Sequence, residues 1–428
     1  VDAVLRLGYD VAGNLARALA ALAPASDTKL LRALRARRGI RARYAAWARA
    51  DRATARPLLW MHAPSVGEGL QARPVLQLAR RERPDLQLAY TFFSPSAAAF
   101  ARGLDVDFAD YLPFDTVGDG EAALDALAPR ALVFSKLDVW PNLARVAAER
   151  RVKLGLVSAT LAEGSSRRRG MAARLLSEAY GRIDAVGAID ARDAERLVDL
   201  GVRRDRIDVT GDTRYDQVWA RVRGVDRAAG LVAPLSSDRP TLVAGSTWPA
   251  DERPLLAAWS RVRAAVPAAR LIIAPHEPTA SHLTPIERWA AETRVRSARL
   301  GGDDAPNADV VVVDRVGVLG DLYALATAAY VGGGFHAAGL HSVLEPAAFG
   351  APVLFGPRYA NSRDAELLID AGGGASESTE SGLESRLRTW LTDDSARQEA
   401  GHAARDLVER GLGAAERSWK LVATLLDT

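Results

Sequence analysis

Trp60-Met-His-Ala-Pro-Ser-Val-Gly-Glu68 is the stretch on which the reading of the fold turns. Leu58 and Leu59 lead into it, and apolar residues recur behind it at Leu70, Val75, Leu76 and Leu78. A short apolar run, a small-residue turn and then helical spacing is the pattern of strand, tight turn and helix. Glu68 then stands near the start of a helix, at the carboxyl end of a strand. In an open α/β sheet ligands bind in the crevice at that end. A carboxylate there is kept ionised by the helix dipole and suits a general base. An acid in a first helical turn is also explained if it does no more than complement the helix.

Outward from this stretch, apolar strand-like runs alternate with helical ones. Strands are expected at Leu86–Tyr90, Asp110–Leu112, Ala131–Phe134, Lys153–Val157, Ala185–Ala188 and Ile207–Thr210. A loose, Pro- and Ser-containing stretch, Ala233–Pro240, reads as a linker. Beyond it a second series follows at Thr241–Ala244, Leu271–Ala274, Val310–Val313, Ala329–Val331 and Pro352–Phe355, with a helical tail from Ser381. This alternation predicts parallel sheets with helices on both faces. The expected architecture is two Rossmann-like α/β domains, over residues 46–232 and 233–428, facing across a central cleft.

Residues 1–45 stand apart. Val4, Leu5, Leu7, Val11, Leu15, Leu19 and Leu22 give an amphipathic pattern, broken by Arg6, Asp10, Asn14 and Arg17. Such a helix lies on a membrane or packs on the body of the protein. Lys29, Arg32, Arg35, Arg37, Arg38, Arg41 and Arg43 follow with no acid between them, although the net charge of the chain is only +3. That run reads as a solvated face, or as a surface for an anionic membrane or substrate. Few aromatics interleave it, which argues against nucleic acid. No apolar run approaches the ~20 residues that span a bilayer, and no secretory cleavage signal is evident. The start at Val1, without methionine, leaves room for residues upstream. There is no cysteine, and the six histidines show no ligand spacing, so no metal site is expected.

Several strand ends in the second half carry residues suited to phosphate or nucleotide. Gly245-Ser246-Thr247 offers a close backbone approach and two hydroxyls before a helix, which suits phosphate oxygens or an ordinary helix cap. The glycines at 332–334, Gly333 and Gly334 among them, let backbone N–H groups point into the cleft. Glu345 follows that loop, and its two oxygens suit a ribose diol or helix-dipole pairing. Asp105-Val-Asp107 has a metal-binding spacing but reads as surface. Arg214 is positioned to meet phosphate charge. No G-x-G-x-x-G with a following acid is present, which disfavours a nicotinamide enzyme.

Taken in order, these blocks resemble the 3-deoxy-D-manno-octulosonic acid (Kdo) transferases, inverting enzymes of the GT-B fold. The resemblance rests on HAPSVGE (62–68), FFSPS (92–96), WPN (140–142), GDTRYD (211–216), AGSTWPADE (244–252), IIAPHE (272–277), the glycine-rich run 332–357 and Asn361. It implies transfer of Kdo from CMP-Kdo to a lipid A precursor in lipopolysaccharide core biosynthesis, at the cytoplasmic face of the bacterial inner membrane, without a metal or cofactor. It implies Glu68 as the base and Arg214 as support for the leaving phosphate. The implied CMP contacts are Pro275, His276 and Glu277, then Val316, Gly317 and Val318, and finally Ser342, Val343, Leu344 and Glu345. Lys136 and Asp138 stand where many members have two glutamates, His276-Glu277 where many have Arg-His, and Ser342 where asparagine is usual. A Lys with a Pro-His-Glu pattern is similar to one branch of the family.

Overall fold

The computed structural model describes residues 3–22, 28–161, 165, 170–228 and 230–427. Among them the chain forms two parallel sheets of seven strands each. The first holds β1 (Leu58–His62), β2 (Gln87–Phe92), β3 (Phe108–Tyr111), β4 (Ala131–Ser135), β5 (Lys153–Ala159), β6 (Ala185–Ala188) and β7 (Ile207–Val209), in the order β3-β2-β1-β4-β5-β6-β7. The second holds β8 (Thr241–Thr247), β9 (Arg270–Pro275), β10 (Ser297–Arg299), β11 (Val310–Val312), β12 (Ala328–Val331), β13 (Val353–Phe355) and β14 (Gly374–Ser376), in the order β10-β11-β9-β8-β12-β13-β14.

Burial explains why these runs are strands. Every residue of β1, β2 and β4 is buried, as expected when helices cover both faces of a parallel sheet. Leu58 and Trp60 enter one apolar cluster while Leu59 and Met61 enter the other, the two-residue alternation of a strand. In each sheet the strand order reverses next to the first strand of the series. β1 is flanked by β2 and β4, and β8 by β9 and β12. These switch points are where crossovers to opposite faces leave a crevice at the strand ends.

The expected α/β class and two-domain organisation are present, but the domain bounds differ. The chain divides into Val1–Gln217 with Gly413–Thr428, and Val218–Leu412. The division therefore falls inside the helix Thr213–Gly224, not at 232/233. The last helix, Ala414–Asp427, belongs to the first unit. Its Trp419, Val422 and Leu425 complete the core beneath Met61 and Val133. Gly155 makes room for it, because a Cβ there would come within 2.8 Å of Leu425. Asp216 pins its start by accepting from Gly413 N and Ala415 N, both at 2.8 Å. Two strands, β10 and β14, were not expected. Both are three-residue strands of partly exposed residues, with no apolar run to announce them.

Residues 1–45 are not a separate module. Ile40 and Tyr44 are buried in the core of the first unit. The helix Ala3–Leu22 packs through its polar face. Tyr9 donates to Asp115 at 2.8 Å, Asp10 accepts from Val117 N at 2.8 Å, and Arg17 reaches Asp119 at 3.1 Å. Gly13 lies so close that a Cβ would stand 3.2 Å from the Asp115 carbonyl oxygen. The apolar stripe is left facing outward: Val4, Leu7, Val11, Leu15 and Leu19 are 57–75% exposed. The basic run is only partly a solvated face. Arg37 is buried on the carbonyls of Leu112 and Ala33, Arg41 pairs with Asp119 and Arg43 with Asp110. The side chains of Leu22 and Lys29 lie outside the described residues.

Replacing Asp216 leaves two helix-start donors without an acceptor. Asp216→Ala is expected to lower stability by about 1–2 kcal/mol, read as a lower urea midpoint with the slope unchanged.

Candidate active site

Chemistry-bearing residues gather at the carboxyl ends of the strands in both units. In the first unit the helix Val66–Glu82 starts directly after β1, with Ser65 as its N-cap and Glu68 in its first turn. Ser65 and Glu68 have the spacing of a capping box. Here, however, the Ser65 hydroxyl donates to the Glu68 carboxylate itself. Lys136 Nζ stands 3.5 Å from Glu68 Oε1. Lys136 follows β4, so the pair bridges the two strands that flank the switch point. Ser135 Oγ also donates to the Glu68 carbonyl at 3.2 Å. Glu68 is partly exposed and Lys136 exposed, so both are open to a substrate.

Asp138 does not join Glu68. It accepts from the Trp140 indole N–H at 3.0 Å and lies 3.2 Å from His62 Nε2, while His62 Nδ1 contacts the Thr91 carbonyl and hydroxyl oxygens at 3.0 Å each. His62 is fully buried at the end of β1. The cluster fixes the end of β1 against the loop after β4, and His62 is the residue in the HAPSVGE block whose part was not foreseen. Arg214 forks onto Asp212 through Nε and Nη2 at 2.8 and 2.6 Å. Asp212 accepts from Gln71, and Thr213 donates to the Gln71 carbonyl at 2.7 Å. Arg214 is thereby tied to the helix that carries Glu68. Asp105 and Asp107 pair with Arg80 at the surface, as their spacing before a strand suggests.

In the second unit Gly245 sits where a Cβ would meet the Tyr323 hydroxyl at 2.1 Å, so only glycine fits. Ser246 adopts φ +53 and Lys136 φ +65. Left-handed backbone at a non-glycine residue is uncommon and clusters at functional sites. Thr247 donates to Glu252 at 2.9 Å, so its hydroxyl is engaged within the unit.

The glycine loop differs from expectation. The N–H groups of Gly332, Gly333 and Phe335 turn inward, not toward a ligand. Gly333 N and Phe335 N donate to Asp251 at 2.8 and 3.0 Å, and Gly332 N to the Gly245 carbonyl at 2.9 Å. Asp251, fully buried, also accepts from Trp248 N and the Tyr330 hydroxyl. Gly333 and Gly334 serve close backbone packing, because Cβ atoms would fall 2.2 Å from Gly339 O and 2.4 Å from Gly356 N. Asn361 clamps both backbone groups of Leu340. Val343 and Leu344 are core residues with no side-chain surface, while Ser342 beside them is exposed.

Around this loop lies an aromatic column that was only partly foreseen. Trp248 stacks on His336 at 4.3 Å and on His276 at 4.6 Å, and His276 stacks on His341 at 4.5 Å. Trp248 Nε1 donates to His341 Nε2 at 3.1 Å. Burial, and then the neighbouring His276, pull His341 down to about 4, which keeps that nitrogen an acceptor at neutral pH. Pro275 ends β9 and is buried, while Glu277 is exposed and uses its carbonyl for His282. Glu345 lies 3.7 Å from Arg221. Burial raises its carboxyl above the usual range and Arg221 pulls it back. Arg221 also donates to the Gly317 carbonyl, beside the 76% exposed Val316 and the start of a helix at Val318. Glu345, Gly317 and Arg221 thus form one group. Among the described residues no set of three His, Asp or Glu side chains is placed to hold a metal ion.

Asp251→Ala would strand four donors, of which the Gly333 N–H and the Tyr330 hydroxyl belong to buried residues. At about 1–3 kcal/mol for each of these two left unsatisfied, the second unit is expected to lose about 2–6 kcal/mol. Chemical denaturation followed by tryptophan fluorescence measures it.

Residues 35–217 match the family model described as 3-deoxy-D-manno-octulosonic-acid transferase (kdotransferase). The 3-deoxy-D-manno-octulosonic acid transferase of Bordetella pertussis is 30% identical over 388 residues, covering 87% of this chain and 88% of that protein. The enzyme of the same name from Haemophilus influenzae is 25% identical over 377 residues, 86% of this chain and 87% of its own. Among solved structures, UDP-GlcNAc 2-epimerase from Neisseria meningitidis superposes with a TM-score of 0.63 over 87% of this chain and 100% of that one; at 13% identity this is a likeness of fold alone. The chain is a glycosyltransferase and belongs to the 3-deoxy-D-manno-octulosonic acid transferase family.

Proposed function

We propose that this chain transfers Kdo from CMP-Kdo to a hydroxyl of a lipid A precursor, with Glu68 as the general base. The observation that carries the reading is the Glu68–Lys136 pair, which bridges the switch point of the first sheet at a helix N-terminus. Glu68 removes the proton of the attacking hydroxyl as the new bond forms at the anomeric carbon. The bond from that carbon to the phosphate oxygen breaks on the opposite side, so configuration inverts and CMP leaves as an anion. A single displacement uses a single base, and the step as proposed draws on side chains and backbone alone, with no metal ion or cofactor. The Ser65 hydroxyl and Lys136 hold the carboxylate in place before the acceptor arrives. Arg214, preset on Asp212, meets negative charge at the leaving phosphate.

The second unit supplies the nucleotide contacts in this reading. Glu345 takes the ribose hydroxyls, with Arg221 as its counter-charge, and the Val316–Val318 turn presents backbone groups to the base. The exposed face of His276, stacked on Trp248, and the Ser246 turn take the phosphate. Asp138 acts through His62 to hold the end of β1 in place.

The acceptor is a lipid, and the helix Ala3–Leu22 fits that. Its polar side is latched to the protein, so its outward apolar stripe is available to an anionic membrane surface. In this reading the protein works on the cytoplasmic face of the bacterial inner membrane, peripherally or through an N-terminal anchor. No described helix is long and apolar enough to cross it.

Glu68→Gln is expected to cut Kdo transfer by about 10²–10⁴-fold while CMP still raises the melting temperature as it does for the wild type. Mass analysis of product from CMP-Kdo and lipid A precursor reads the first, thermal shift the second. Near-normal turnover would remove Glu68 from the mechanism, and a shift with UDP but none with CMP would overturn the donor. For the membrane, Leu7→Glu with Leu15→Glu should abolish co-sedimentation with vesicles and leave the unfolding midpoint within the range of surface substitutions. Unchanged sedimentation would return the stripe to plain solvent exposure.

A further inference from the structure

Three rings fill the switch point of the second sheet, in the order of its strands. Trp248 follows β8, His276 follows β9 and His336 lies in the loop after β12, and β9 and β12 are the two neighbours of β8. The stack keeps that order. His276 lies 4.6 Å from the indole centre and His336 4.3 Å from it, the latter within 5° of parallel. Imidazoles this close to one indole would touch if they shared a face, and these two make no ring contact with each other. One therefore lies on each face. The indole between them is fixed at its edge, where Nε1 donates to His341 Nε2 at 3.1 Å, and by its backbone N–H, which donates to Asp251 at 3.0 Å.

Both imidazoles keep hydrogen-bonding capacity that the protein does not use. His336 Nδ1 accepts from Ala338 N at 3.2 Å, so the ring proton rides on Nε2. Among the described residues that N–H meets no acceptor, and it keeps accessible surface: His336 is only partly buried, beside the small, exposed Ala337 and Ala338. His276 is exposed, and among the described residues its ring meets no partner beyond the stack. Donors on opposite faces of an indole stand too far apart to share one carboxylate. They suit two anionic groups held side by side on one molecule.

We propose that His336 is a specificity-determining residue for the sugar acid: its Nε2–H binds the Kdo carboxylate, while His276 across the indole takes the phosphate. The chemistry of the donor supplies the match. An ulosonic acid carries its carboxyl group on the anomeric carbon, and in CMP-Kdo the phosphate ester is attached to that same carbon. The two anions therefore stand a short, fixed distance apart. A nucleotide-activated aldose has hydrogen in place of the carboxylate and would leave the His336 donor without a charge to bind. An N–H donated to a carboxylate is a charge-assisted hydrogen bond, stronger than one between neutral groups. This deepens the donor reading above and rests on it.

The test uses the full chain, with CMP and freshly made CMP-Kdo titrated separately by calorimetry in the absence of acceptor. His336→Phe keeps a flat ring against the indole and removes the N–H. It is expected to weaken CMP-Kdo binding by about tenfold, the size of one lost charge-assisted hydrogen bond, and to leave the affinity for CMP within about twofold of the wild type. CMP carries the phosphate but no carboxylate, so retained CMP binding also shows that the variant is folded. His336→Gln keeps an N–H donor and should lose less CMP-Kdo affinity than His336→Phe. Undiminished CMP-Kdo binding by His336→Phe overturns the proposal. Equal weakening of CMP and CMP-Kdo does so too, because it assigns the ring to the phosphate or to packing. An equal loss in the Gln and Phe variants removes the N–H from the account. If the wild type binds neither ligand, the donor reading itself fails and takes this proposal with it. Wild-type binding of both, with any of the three variant results above, sinks this proposal alone.

Discussion

Parallel pairing of strands is the constraint from which the rest of this structure follows. Neighbouring parallel strands cannot be joined by a tight turn, so each connection crosses a face of the sheet, usually as a helix. Every strand then ends at the same edge, and every helix begins near it. Where crossovers leave β1 toward β2 on one side and β4 on the other, the connecting segments part and open a crevice. Glu68 after β1 and Lys136 after β4 stand on its two lips. The second sheet repeats the device at β8 and β12, where the Ser246 turn meets the glycine loop. Some of the backbone strain sits at these ends. Lys136, Ser158 and Ser246 all hold left-handed backbone at or just beyond a parallel strand, a conformation that a side chain opposes. The surrounding sheets and hydrogen bonds hold them there.

A few buried acids do the organising that charge counts conceal. Asp251 gathers Trp248, Tyr330 and the glycine loop around one carboxyl group. Asp115 accepts from the start of the helix Pro141–Glu149 and from Tyr9, linking the WPN block to the first helix of the chain. Burial raises its carboxyl to about 6, with those donors opposing. Asp119 does the same for two arginines. The outcome at the first helix is an inversion of the usual amphipathic arrangement. Its polar residues satisfy acids and backbone groups on the protein, and its leucines are left outside. Burying the leucines instead would have cost Asp115 its Tyr9 donor and left the Val117 N–H without the Asp10 acceptor, opposing the apolar burial gained.

Much of this was legible in the chain. Continuous apolar runs such as Ala131–Phe134 and Leu271–Ala274 announce buried parallel strands, and all seven strands of the first sheet fall where the runs predict. The position of Glu68 at a strand-to-helix junction was readable from residues 58–78 alone. What escaped has a common cause. β10 and β14 are short and half exposed, so no hydrophobic signal marks them. The loose stretch 233–240 looked like the linker, yet the units part within the helix Thr213–Gly224, because partition depends on which neighbours each turn touches. The glycines at 332–334 suggested N–H groups aimed at a ligand, and Asp251, 82 positions before Gly333, captures that N–H instead.

The sequence by itself determined the class of fold, the family and the residue types at the strand ends, because periodicity, glycine placement and local order are written along the chain. Tertiary structure alone decided the partners. That Glu68 faces Lys136 while Asp138 turns to His62, that the last helix returns to the first unit, and that the first helix shows its apolar side all depend on contacts between distant residues. Hydrogen-bond and charge satisfaction is settled in three dimensions, among groups that the chain spaces far apart. No local pattern can say which of several acids a given donor will meet.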